Sequence, residues 1–363
     1  MTSLRGLSSD KHILIIKPSS LGDVVHTLPL VHALKRSNPE STIGWVVQRA
    51  FAPLLECDPT VDTVYPIHIP STSDPQAGRF AYFQALTATV KTLNSLRRQL
   101  KRAPFDLILD LHASFRSGLL GRTNPGGLRV GFRGAGELNT WFQDQLITVP
   151  ESVQHALDKN LLFCDHLACR VAPEDFHMCC STDDVDAVRV FLRRQKIPAG
   201  TKIIYANPAA RWQTKFWSAG RWAELADRLA VRGTVMVFGG SVQDVPYIAS
   251  INRLMKTRPL VAAGRFNLPQ SVALIQRSSL YVGLDSGPMH MAALSGIPVV
   301  ALFGPTHPAR VGPYGVKHTI VRTADLDCLE CRKRACGHLG CMKGISVPMV
   351  YDAVISLLEK KEE

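Results

Sequence analysis

The stretch from Ser279 to Gly304 limits the fold more tightly than any other part of the chain. A short apolar run, Ser279-Leu280-Tyr281-Val282-Gly283-Leu284, reaches a polar turn, Asp285-Ser286-Gly287-Pro288-Met289-His290. Met291-Ala292-Ala293-Leu294 continues as a small-residue helix, and Gly296-Ile297-Pro298-Val299-Val300-Ala301-Leu302-Phe303-Gly304 supplies a second buried strand. Two buried strands joined through a helix must run parallel, so the segment belongs to an open α/β sheet. Backbone N–H groups at a helix start attract anions. Turns of this kind lie outside the carboxyl ends of parallel strands, where such sheets take their ligands. The ligand class this predicts is a nucleotide diphosphate.

The same alternation runs twice along the chain. His12–Lys17 is a continuous apolar strand followed by a loop, Pro18–Asp23, and then a helix over Val24–Arg36 in which Val24, Leu28, Val31 and Leu34 share a face. Thr42–Val47 and Val61–Ile67 are strands, Ala85–Arg102 an amphipathic basic helix, and Phe105–Leu111 a further strand. The pattern restarts at Lys202–Asn207, with a helix over Ala219–Arg232 and a strand over Gly233–Gly240 ending on a glycine pair. The expected organisation is an N-terminal Rossmann-like domain over 11–180 and a linker over 181–200, in which Ser181–Asp184 and Ile197–Gly200 flank a helix. A C-terminal Rossmann-like domain over 201–346 and a final helix and tail over 347–363 complete it.

A chain of 363 residues fits two domains. No apolar run is long enough to span a membrane. Residues 1–10 lack an apolar signal core, which leads us to expect a cytoplasmic protein. The net charge of +12 fits an anionic partner: nucleic acid, a membrane face or a phosphorylated substrate. It also fits a plain basic surface. No zinc-finger spacing or RNA-binding aromatic motif supports nucleic acid. Nothing in the sequence fixes an oligomeric state. Cys328, Cys331, Cys336 and Cys341, with His338 among them, read either as a zinc knot or as a thiol-rich loop packed on the domain.

Three loops collect groups able to do chemistry. The first, Lys17-Pro18-Ser19-Ser20-Leu21-Gly22-Asp23, is neither a GxGxxG loop nor a P-loop. Asp23 there is either an N-terminal capping acid or a general base. In the second, Asn207–Trp217, Arg211 and Lys215 either neutralise a leaving diphosphate or form a basic rim over packed tryptophans. In the third, Ser286 and the Gly287 amide suit phosphate oxygens. Asp285 there can orient amides or Lys215, and His290 can donate to phosphate. The plainer roles are a helix cap for Asp285 and a core position for His290.

Ser19-Ser20-Leu21-Gly22-Asp23-Val24-Val25-His26-Thr27-Leu28-Pro29 and Asp285-Ser286-Gly287-Pro288-Met289-His290-Met291-Ala292-Ala293 resemble two signatures of the bacterial lipopolysaccharide heptosyltransferases, glycosyltransferase family 9. Trp45-Val46-Val47, Phe51-Ala52-Pro53-Leu54 and Pro59-Thr60-Val61-Asp62 are similar to its heptosyltransferase I branch. The resemblance covers nearly the whole chain. It implies a GT-B fold, two Rossmann-like doubly wound parallel-sheet domains facing a cleft. It implies inverting, metal-independent transfer of heptose from ADP-heptose, a substrate rather than a cofactor, to the Kdo sugar of lipid A, so no cofactor is expected. It places the protein peripherally on the cytoplasmic, anionic face of the inner membrane.

Residue by residue, the resemblance makes Asp23 the catalytic base. Lys215, Asp285, Ser286, Gly287 and His290 become the donor site, with Arg211 and Thr214 beside them. Arg116 falls where the family puts a cation facing the acceptor, and Arg49, Arg129 and Arg133 are expected to join it against carboxylates and phosphates. The chain departs from the family at Ala209-Ala210-Arg211, where hydroxyl residues usually precede the donor lysine. It departs again after Gly240, where Ser241 comes first and an acid near the donor ribose would have to be supplied by Asp244.

Overall fold

The computed structural model of the chain describes residues 11–70, 81–198, 200–324 and 326–359, with the side chains of residues 81 and 82 left aside. The expected absence of a signal core concerns residues 1–10, outside that range. The chain divides between Asp175 and Phe176 into two compact units.

The first unit carries one six-stranded sheet: β1 (His12–Ile16), β2 (Thr42–Gln48), β3 (Thr63–Ile67), β4 (Leu107–Asp110), β5 (Leu128–Phe132) and β6 (Gln145–Ile147). Every pairing is parallel, in the order β3-β2-β1-β4-β5-β6. The continuous Val/Ile/Leu runs of β1 and β4 explain their central place, since both faces of a parallel sheet are covered. Leu14, Ile16, Val46, Ile67, Leu96, Leu100, Phe105 and Ile108 form one buried cluster on one face.

The second unit repeats the plan with β7 (Ile203–Asn207), β8 (Val235–Phe238), β9 (Leu260–Val261), β10 (Leu280–Leu284), β11 (Val299–Leu302) and β12 (His318–Val321). Their order is β12-β11-β10-β7-β8-β9, again all parallel. β7 and β10 thus correspond to β1 and β4. In each sheet the strand order reverses between these two central strands, and ligands of doubly wound sheets bind at that point. Trp217 and Trp222 meet edge to face at 5.1 Å in the core of this unit.

Three details differ from the sequence reading. The helix expected over 24–36 is two helices, Leu21–Val25 and Leu28–Ser37. Pro29 has no N–H to continue the first, and the Thr27 hydroxyl donates to the Asp23 carbonyl at 2.9 Å. The helix expected within the linker is present as Thr182–Arg194, but it packs on the helix Leu268–Gln276 and belongs to the second unit. The final helix, Val347–Glu359, also belongs to the second unit. Its approach is fixed by Trp217 Nε1 donating to the Ile345 carbonyl at 2.8 Å.

Candidate active site

In the first unit the loops after β1 and β4 meet at the carboxyl edge of the sheet. Lys17 directly follows β1 and is 7% exposed. Its Nζ donates to the Leu111 carbonyl at 2.7 Å and lies 3.8 Å from Asp23 Oδ1. Asp23 opens the short helix after the loop. Its Oδ2 accepts from Ser20 N at 3.0 Å and Ser20 Oγ at 2.7 Å. One oxygen therefore caps the helix start, while the side chain as a whole is 43% exposed. The other oxygen, Oδ1, faces Lys17 and takes no part in the cap.

Desolvation raises the Asp23 pKa, but the Lys17 ammonium, the two Ser20 hydrogen bonds and His112 together outweigh it. The carboxyl is held below its ordinary value and is ionised at neutral pH. His112 moves the same way: desolvation and Lys17 lower its pKa against the pull of Asp110, Asp23 and a backbone bond with Ser19. It is a neutral imidazole beside the Lys17–Asp23 pair at pH 7. Beneath them Asp110 is 1% exposed and accepts from Ser117 Oγ, Asn139 Nδ2, Gln143 Nε2 and the amides of His112 and Ala113. This buried carboxylate fixes the path of residues 111–117 and hence the place of His112 and Arg116.

Arg116 sits in the first turn of the helix Phe115–Gly121. Exposed Arg49 follows β2, and exposed Arg133 follows β5, with its Nε donating to Thr148 Oγ1 at 3.2 Å. Because the strands are parallel, all three lie at the edge that carries Asp23. Arg129 does not, which corrects the sequence expectation. It occupies the amino-terminal part of β5, is 9% exposed and pairs with Asp144 at 3.2 Å. Its charge is spent inside the unit.

In the second unit the loops after β7 and β10 form the corresponding place. Lys215 Nζ donates to Asp285 Oδ2 at 2.6 Å and to the Asp285 carbonyl at 2.9 Å, with side-chain exposures of 14% and 6%. The ammonium also stands 4.8 Å over the Trp212 ring, which Arg334 approaches at 5.0 Å. Buried Asn207 ends β7 and donates to the Ala209 carbonyl at 2.6 Å and to Ser286 Oγ at 3.1 Å, locking the two loops together. Ser286 precedes the helix Gly287–Leu294. Pro288 brings no N–H, so the amides of Ser286 and Gly287 are the ones best placed for an anion. His290, 7% exposed, lies one turn further on, and Arg211 is an exposed residue of the preceding loop.

Thr214 is corrected from donor contact to tether: it is 5% exposed and its hydroxyl donates to the Lys333 carbonyl at 3.0 Å. Asp244 has likewise found local work, accepting from Ser241 N at 2.8 Å and Ser241 Oγ at 2.7 Å at a helix start. The cysteines are all free thiols. Among the described residues no group of three or more His, Cys, Asp or Glu is placed to hold a metal ion, which gives the zinc reading no support. Lys17, Asp110, His112 and Asn207 were missed as site residues. The only sequence signal for them is their position at the ends of β1, β4 and β7.

The family model of glycosyltransferase family 9 (heptosyltransferase) matches residues 93–341. The chain belongs to glycosyltransferase family 9. It is therefore a glycosyltransferase. Lipopolysaccharide core heptosyltransferase OpsX of Haemophilus influenzae is 27% identical to this family 9 enzyme over 86% of its chain and 84% of the relative. Lipopolysaccharide heptosyltransferase 1 of Pseudomonas aeruginosa is 28% identical over 89% and 87%. Lipopolysaccharide heptosyltransferase 3 of Escherichia coli is 27% identical over 78% and 80%. Types 1 and 3 match almost equally, so the comparisons establish the family and do not single out a branch.

Among solved structures, the family 9 glycosyl transferase of Veillonella parvula superposes with a TM-score of 0.82 at 24% identity, over 98% of this chain and 99% of that one. The E. coli heptosyltransferase WaaC with ADP gives 0.71 at 21%, over 95% and 99%. The fold is thus GT-B, with two Rossmann-like domains. No helix among the described residues is long and apolar enough to cross a membrane.

Proposed function

We propose that this family 9 glycosyltransferase moves heptose from ADP-heptose to a Kdo sugar of lipid A, with inversion and without a metal ion. Three relatives are named lipopolysaccharide heptosyltransferases, and the WaaC structure is a complex with ADP. In this reading the acceptor hydroxyl attacks the anomeric carbon as the bond to ADP breaks, and its proton passes to Asp23 Oδ1. Products are the glycoside, ADP and a proton. General-base help of this kind is worth roughly 10²–10⁴-fold.

Lys215 retains one N–H beyond the two it gives to Asp285. That N–H, the Ser286 and Gly287 amides, His290 and Arg211 stabilise the departing diphosphate. Asp285 is the group that aims Lys215. Arg116, Arg49 and Arg133 meet the carboxylates and phosphates of the acceptor, whose lipid brings the enzyme to the cytoplasmic face of the inner membrane. The type 1 branch motifs around Trp45 and Pro59 favour Kdo over a later core sugar as acceptor.

The observation that carries this reading is Asp23 itself. A binding protein has no need of an exposed carboxylate held ionised by a lysine 3.8 Å away at a sheet's ligand edge. The test is ADP release from ADP-heptose mixed with Kdo-lipid A, wild type against Asp23→Ala, with products weighed by mass spectrometry. Wild type should yield one added heptose and the variant almost none. Equal rates would remove Asp23 as base. Turnover only with a heptosylated core would replace the acceptor and leave the chemistry standing, a result the likeness to heptosyltransferase 3 keeps in view.

A further inference from the structure

One element of the first unit has no part in the site described above. The helix Ala81–Leu100 is 20 residues long, about 30 Å, and links β3 to β4. One side is core: Ala85, Leu96 and Leu100 are buried, with Leu96 and Leu100 against the sheet. The other side exposes large apolar residues, Phe83 at 67%, Leu86 at 62% and Val90 at 49%. Exposed Lys91, Arg97, Arg98, Lys101 and Arg102 follow along the helix and just past its end, and the sequence 81–105 contains no Asp or Glu.

At about 100° per residue, Phe83, Leu86, Val90 and Arg97 fall within an arc of roughly 60°. The apolar triad and Arg97 therefore point to the same side, with Arg98 about 100° further round and Lys101 and Arg102 just past the helix end. Single exposed apolar residues are ordinary, but a stripe of three at helical spacing, continued by cations that form no ion pair among the described residues, matches an interfacial helix. The helix is too basic to cross a bilayer, in line with the absence of a crossing helix among the described residues. Leu100 is joined by a short turn to β4, which starts at the amino edge of the sheet, so the helix runs antiparallel to the strands. Its exposed apolar end accordingly lies toward the carboxyl edge, where Asp23, His112 and Arg116 are. It also packs beside the helix Phe115–Gly121 that carries Arg116.

We propose that this face of the helix docks on an anionic phospholipid bilayer, with Phe83, Leu86 and Val90 in the acyl–headgroup boundary and Arg97, Arg98, Lys101 and Arg102 on the headgroups. The inference gives the proposed function its membrane-facing surface, and it rests on that reading only for the claim that the acceptor is a lipid. The occupant follows from charge: the five cations over 91–102 stand without an acid among them, and each such residue near an anionic surface contributes about fivefold to binding.

The test is flotation of the full-length protein with phosphatidylethanolamine/phosphatidylglycerol vesicles and with phosphatidylcholine vesicles. Two combined variants are compared with wild type. One carries Phe83→Ser, Leu86→Ser and Val90→Ser; the other carries Arg97→Gln, Arg98→Gln, Lys101→Gln and Arg102→Gln. Wild type should float with the anionic vesicles only. Each variant should lose roughly tenfold or more in partition, and the charge variant should also lose the salt dependence. Both should keep the wild-type melting temperature, since every altered side chain is exposed, and should keep turnover on a lipid-free Kdo oligosaccharide. Failure of that turnover in wild type would strike the proposed function and leave the docking result to stand alone. No flotation of wild type, or flotation unchanged in both variants, would overturn the proposal. So would a wild-type dimer that the apolar variant dissolves, because the stripe would then belong to a second copy.

Discussion

Asp23 in the first unit and Asp285 in the second each stand beside a lysine at the point where the strand order of their sheet reverses, yet the two pairs are built in opposite ways. Lys215 and Asp285 are buried and in contact at 2.6 Å, with the Asp285 carbonyl closing on the same ammonium. Lys17 and Asp23 are 3.8 Å apart, the lysine buried and the carboxylate 43% exposed. The difference begins with the aspartate at the carboxyl end of each fourth strand, Asp110 as the last residue of β4 and Asp285 just after β10. In the first unit that carboxylate, Asp110, is satisfied by neutral donors from Ser117, Asn139, Gln143 and two amides. Lys17 is then left to act on Asp23. In the second unit Asp285 takes the lysine for itself. One pair keeps a carboxylate ionised and reachable, as the proposed base requires, and the other spends its charges on holding a cation in place.

If that contrast is right, the two aspartates fail differently. Asp23→Ala should lower turnover by about 10²–10⁴-fold while costing about 1 kcal/mol of stability, the scale of a lost helix cap. Asp285→Ala should cost about 3–5 kcal/mol, because it strands Lys215 as a buried unpaired charge. Kinetics with ADP-heptose and thermal melts on both variants decide this. Similar melts and similar rates would dissolve the comparison. Lys215→Ala should resemble Asp285→Ala in its melt and should weaken donor handling most.

A pH profile sharpens the first pair. The Asp23 pKa is depressed, so the stabilising contribution of its ionised form is present above the unfolded value and lost as pH falls through the folded one. The acid limb of kcat/KM due to Asp23 should therefore lie below the ordinary aspartate value of 3.8. Lys17→Met removes the principal lowering influence and leaves desolvation, so that limb should move upward. A profile that stays where it was would show that Lys17 does not set the base.

Much of this was legible because continuous apolar runs end abruptly at polar loops. Ile13–Ile16, Ile203–Ala206 and Leu280–Leu284 mark their own strands, and Asp23, Lys215 and Asp285 follow at their carboxyl ends. Three strands away from the sheet centres were not legible: β5 holds Arg129 and Gly131, β6 begins with Gln145, and β9 is two residues long. That gap produced the error at Arg129, since a basic residue reads the same at either end of a strand that has not been found. Lys17, meanwhile, gains its meaning from a carbonyl at Leu111, 94 residues away in sequence. Thr214 has the same character, because its partner at Lys333 lies 119 residues off.

The smallest effect concerns Asp244, the acid nearest the glycine pair after β8. Its Oδ2 is already shared between the amide and hydroxyl of Ser241, 2.8 and 2.7 Å away, at the entrance to the helix Val245–Asn252. A carboxylate so engaged resembles the Asp23 cap without the neighbouring lysine that lowers the Asp23 pKa. Asp244→Ala should thus cost about 1 kcal/mol in a denaturant melt, the scale of a lost cap, and leave the KM for ADP-heptose where it was. If KM rises several-fold while the melt barely moves, Asp244 belongs to the donor site, and capping is not a sufficient account of an acid at this edge.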